Sequence, residues 1–213
     1  MRADEADFFQ HFQSQVSPLD KIEKRVPDQS AVKRRVSWRD TMEVALERLS
    51  HWSRVKFAAL CARCVQPFFT EMWPEATPDR IAAVERAIAL AEQSATDGRA
   101  HPELKAAVLA ASTTAGRAQI PHLYPVPIDD AEQPPRDRTA AVIASLSAKV
   151  AEKAAEAATA DPARSDVPAR EAYFFAVDAI RAVGRSRLIG RLQAGFAKLA
   201  GSEPRKPWWR FWE

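Results

Sequence analysis

Apolar side chains recur along this chain with a helical period, most clearly in the stretch "SRVKFAALCARCVQPFFTEMW". Its apolar residues are Phe57, Leu60, Cys61, Cys64, Val65, Phe68, Phe69 and Met72. Their spacings alternate between three and one, which is the repeat of a wide buried stripe on a helix. Pro67 has no N–H to give and should bend this helix or cost it one bond, and Trp73-Pro74 should end it.

The same period, with punctuation between its runs, predicts the rest. Ser37 stands where an N-cap would, with Asp40 at the capping-box position, and that helix should reach about Ser50. Thr77-Pro78-Asp79 opens another, with a hydroxyl cap, proline at the first helical position and an acid facing the positive end of the dipole. It should run to Ala95, with Gly98 just beyond, and Pro102 should open the next through "ELKAAVLAASTTAGRAQ". Residues 119–136 hold five prolines and three acids and are expected to be a surface connection, long enough to cross over the fold. An Ala-rich helix follows over 137–160, where ten of the residues 140–160 are alanine.

After a break at "DPARSDVP", the helix beyond Pro168 should bury Ala172, Phe175, Ala176, Ala179, Ile180 and Val183. Gly184 interrupts it. A last helix over 185–200 carries Leu188, Ile189, Leu192, Phe196 and Leu199 on one side, weakened by Gly190 and Gly195. No segment reads as a strand. The expected fold is all-α, with six or seven helices packed as antiparallel hairpins. Residues 1–36 would form an N-terminal extension with a short helix near 4–15, residues 37–200 the helical domain, and 201–213 a tail.

Charge changes this picture at one end. The net charge of +3 is too small to point to nucleic acid, but residues 181–213 carry +6 and the remainder −3. The chain then finishes in "KPWWRFWE", with four aromatic residues in its last six positions. Lys206, Trp208, Trp209, Arg210, Phe211 and Trp212 are therefore the candidate contact residues. Indoles beside cations suit a lipid headgroup layer, a groove on a partner protein, or a fold-back onto the chain's own helices. One basic segment makes a thin phosphate track, so nucleic acid is not an expected partner. The opening "MRADEADFFQ" lacks the apolar run of a secretory signal, and no uncharged stretch is long enough to span a membrane. The expected location is cytoplasmic, with a peripheral place at the membrane as its variant.

Candidate chemistry is sparse. Cys61 and Cys64 form a C-x-x-C, but both lie in the apolar stripe, and His11, His51, His101 and His122 lack paired spacing for a zinc site. They read as packed core thiols. "HPE" at His101 lacks the downstream P-C-x-x-C of zinc deaminases and reads as a loop entering a helix. Glu47 and His51 stand one turn apart, with Arg54 beyond, and are the residues around which a dispersed active site would form. No cofactor or metal is expected, and a binding protein is preferred to an enzyme.

The stretch "HWSRVKFAALCARCVQPFFTEMWPEATPDRIAAVERAIALAEQSA" resembles small all-helical immunity proteins of bacterial polymorphic toxin systems. The resemblance covers residues 50–118; the first fifty residues and the basic tail fall outside it. It implies a protein that binds and blocks a cognate toxin. The expected function is thus a non-catalytic protein-interaction module, immunity-like or adaptor. The alternative is a peripheral membrane protein using its basic, Trp-rich end.

Overall fold

The structure, a computed structural model, describes residues 45–123 and 135–201. The expected helix near 4–15, the Ser37 cap and the whole C-terminal aromatic segment lie outside the described residues. Those described all belong to a compact unit that begins at Met42. Their regular structure is all helical and includes no strand. After the end of a helical turn at 45–47 come α1 (His51–Met72), α2 (Pro78–Asp97), α3 (Leu104–Leu123), α4 (Arg138–Thr159), α5 (Asp166–Ala182) and α6 (Arg187–Leu199).

Local chemistry sets most of the boundaries. Ser50 caps α1, its Oγ accepting from the Ser53 N–H at 3.3 Å, and Asp137 caps α4, its Oδ1 accepting from the Ala140 N–H at 2.9 Å. Pro78 begins α2 and Gly98 ends it with φ of 67°, a left-handed cap that a side chain would strain. At the next start, His101 Nδ1 accepts from the Glu103 N–H at 3.3 Å. Pro67 sits inside α1 on an exposed face, and the helix continues past it.

Two expectations need correction. Helix α3 runs on to Leu123, so 119–123 are helix and not connection. Residues 124–134 lie outside the described residues, and α3 and α4, on either side of them, pack against each other. Helix α5 begins at Asp166, with Pro168 in its first turn, where a missing N–H costs nothing.

The packing is centred on α4, which lies against α1, α2, α3 and α5. Ala140, Ala141, Ala144, Ala148, Ala151, Ala154, Ala155, Ala157 and Ala158 are all buried there. A helix touched on so many sides must be thin. Alanine lets neighbouring axes approach toward the low end of the usual range, about 8 Å, and it loses no side-chain entropy on burial.

The larger side chains come from the surrounding helices. Phe57 of α1 stacks on Tyr173 of α5 at 5.8 Å and meets the edge of Phe196 of α6 at 5.0 Å. Phe57, Cys61, Val65, Phe68 and Phe69 are buried as the stripe predicts, whereas Leu60 is 38% exposed. The reason is α6, a short helix at the edge that packs mainly on α1. Leu60 lies over Gly195, filling the space a β-carbon there would need. In α5 the core includes Tyr173, while Phe175 and Val183 are only half-buried.

Ion pairs link the elements at their rims. Arg63 of α1 bonds Glu92 through two nitrogens, at 2.9 and 2.8 Å, and Glu85 at 2.5 Å, tying α1 to α2. Arg86 of α2 pairs with Glu103. Two substitutions in α4 test the packing. Ala151→Leu overfills a fully buried position and should cost about 1–3 kcal/mol, read as a lowered melting temperature. Ser145→Ala removes a buried hydroxyl that has no hydrogen-bond partner among the described residues, and should raise stability by about 1 kcal/mol.

Candidate functional site

The first turns of α1 gather the trio Glu47, His51 and Arg54. Arg54 donates from Nε to the Leu46 carbonyl at 2.9 Å and from Nη2 to the Glu47 carbonyl at 2.7 Å. Its Nη1 donates to the Pro162 carbonyl at 2.9 Å and to Ser165 Oγ at 3.3 Å. The carbonyls at 46 and 47 stand at the end of a helical turn, where that of Leu46 also accepts from the Leu49 N–H at 3.0 Å. One guanidinium therefore closes that turn and fastens it to the link between α4 and α5. Glu47 enters through its main chain. Of the expected trio, Arg54 meets only the main chain of Glu47, in a clamp on the backbone to which His51 does not bond. Nothing in the sequence signalled it, since the acceptors are carbonyls brought in by the fold.

His51 lies beside this clamp. Its Nδ1 is buried with no hydrogen-bond partner among the described residues, and its ring meets Trp52 edge-on at 4.3 Å. Burial holds its pKa below the usual histidine value, and the nearby Arg54 charge adds to the effect; Asp161 opposes both.

The two thiols stand on the inner side of α1. Cys61 is buried and Cys64 half-buried, and both are free. Burial pushes both thiols up; Cys64 adds to the effect on Cys61, while Arg191 works against it at Cys64. Tyr173 is pushed up to about 12, mainly by burial and next by the neighbouring Cys61. A thiol held protonated is a poor nucleophile and a poor metal ligand, so this environment suits packing. Among the described residues no group of three His, Cys, Asp or Glu is placed to hold a metal ion.

A half-buried polar strip runs along α4. Burial lowers the pKa of Lys149, whose Nζ stands 5.6 Å from the centre of the Phe175 ring, and raises that of Glu152. Lys153 Nζ reaches Glu156 at 2.7 Å and Glu171 of α5 at 3.0 Å. The strip binds α4 to its neighbours. Polar side chains with perturbed protonation thus exist here, and their partners are other parts of the fold.

Two surfaces have a different character. On α3, Lys105, Ala106, Leu109, Thr113 and Arg117 are exposed on one side. Between the two cations this side has no charge, and Leu109 at its centre is 69% exposed. On α6, Arg187, Gly190, Arg191, Ala194 and Lys198 are exposed, and the helix contains no carboxylate. Arg185, just before it, is already engaged, bonded to Glu71 at 2.7 Å and lying 5.2 Å from the Phe68 ring. The candidate contact residues Lys206, Trp208, Trp209, Arg210, Phe211 and Trp212 lie outside the described residues. No helix among those described is long and apolar enough to cross a membrane. No family profile, curated protein or solved structure matches the chain.

The His51 environment gives a pH dependence whose sign follows from linkage. With its folded pKa lowered from 6.5, the unfolded chain takes up a proton that the native one resists. The contribution is fully present above about 6.5 and is lost as pH falls from there toward the folded value. Denaturant midpoints measured over this window should decline with acidity, and the decline should be shallower in His51→Gln; equal slopes would show that His51 is not its source.

Proposed function

We propose that this chain is a non-catalytic protein-interaction module of the immunity-like or adaptor kind. The observation that carries the reading is Leu109, a large apolar side chain 69% exposed at the centre of a charge-free stretch of α3. An exposed leucine alone is ordinary. One flanked by Ala106 and Thr113 at helical spacing, with its cations held to the ends, fits the apolar centre and polar rim of a protein interface.

The environment of the chemically capable side chains supports the same reading. Arg54 is occupied by main-chain carbonyls, Lys153 by Glu156 and Glu171, and the thiols by burial. A toxin is the partner to which the likeness of residues 50–118 points. Lys206, Trp208, Trp209, Arg210, Phe211 and Trp212 are assigned to this reading as a second contact segment.

The test is cross-linking and co-purification of the full chain from the cells it comes from. Wild type and Lys56→Glu, a change on α1, should retain the same protein. Leu109→Glu, at an unchanged melting temperature, should lose it by about 30-fold, the scale of an interface hot spot. Full retention by Leu109→Glu would remove α3 as the contact face.

A further inference from the structure

We propose that the outward face of α6 is a docking surface for an anionic phospholipid bilayer. The inference goes beyond the protein partner assigned to α3 and does not depend on it. Helix α6 is held to the core by Leu192, Phe196 and Ala197, which are buried, and by the seating of Leu60 on Gly195. That docking fixes which side faces out. Arg187, Arg191 and Lys198 then stand on one exposed side, spread over twelve residues, or about 16 Å of helix.

None of the three forms an ion pair among the described residues, and α6 has no acid of its own. The neighbouring Arg185 is different, since Glu71 already neutralises it. Three unneutralised cations in a row leave a local field that an anionic surface would satisfy.

Lipid is favoured over an acidic protein by what lies between the cations. The other exposed positions on this face are Gly190 and Ala194, and no atom lies within 4 Å of where a Gly190 β-carbon would be. A stable protein interface takes much of its energy from large apolar or aromatic anchors, and this face offers none. Headgroups require only charge, which each basic residue near the surface supplies.

The experiment is co-sedimentation of the full chain with phosphatidylcholine vesicles and with vesicles of equal phosphatidylcholine and phosphatidylglycerol. Wild type should pellet with the mixed vesicles only, and less as salt is raised. The α6 variant R187Q/R191Q/K198Q, whose unchanged melting temperature would show an intact fold, should bind the mixed vesicles about 100-fold more weakly. Three results would overturn the proposal. They are wild type that ignores phosphatidylglycerol, a triple variant that binds as wild type does (placing any lipid affinity in the C-terminal segment), and salt-sensitive α6-dependent capture of an acidic protein without vesicle binding.

Discussion

The close packing of α4 against four neighbours is the constraint on which the rest of the structure depends. A helix in that position has almost no solvent side to give up, so its width decides how near α1, α2, α3 and α5 can come. Alanine at nine of its buried positions makes it narrow enough. The same choice limits what α4 contributes in apolar area, since each methyl is small. The large side chains must then come from outside: Phe57, Phe68 and Phe69 from α1, Tyr173 from α5 and Phe196 from α6. Thin centre and bulky surround are two halves of one solution to filling a volume at constant density.

That arrangement explains where the polar groups went. The side of α4 left partly open bears Lys149, Glu152, Lys153 and Glu156; Glu152 reaches Ser112 of α3, while Lys149 and Lys153 reach Phe175 and Glu171 of α5. Arg54 and Arg63 work in the same way at the rims, the first on carbonyls and the second on carboxylates of α2. Among the described residues, charge is used mainly to join one element to another. Such bonds become worth more as they are withdrawn from water, provided every partner is present.

A surface where charge is not spent in this way stands out against that background. On α3 the charge is missing around an exposed leucine; on α6 three cations have no carboxylate partner among the described residues. The two faces differ in chemistry, and the two proposals assign them to different partners for that reason. An adaptor needs at least two such faces, and α3 and α6 do not pack on one another.

Much of the fold was legible in the chain. The stripe from Phe57 to Phe69, the Thr77-Pro78 start, the Gly98 stop and the alanine run of 138–159 are local signals, because helix periodicity and caps depend on residues within a turn or two. The core role of Cys61 followed from the same stripe. What the sequence could not decide is which side of each helix meets which neighbour. Leu60 belongs to the stripe yet stays part-exposed, because α6 presents Gly195 to it and covers only one side. Tyr173 became core and Phe175 did not, since α5 turns toward Phe57. The Arg54 clamp and the exposure of Leu109 are invisible in the linear text for the same reason. A carbonyl acceptor has no residue identity, and an apolar residue reads alike whether or not a partner helix lies across it. Local periodicity determined the helices; their mutual packing alone determined which side chains were left facing out.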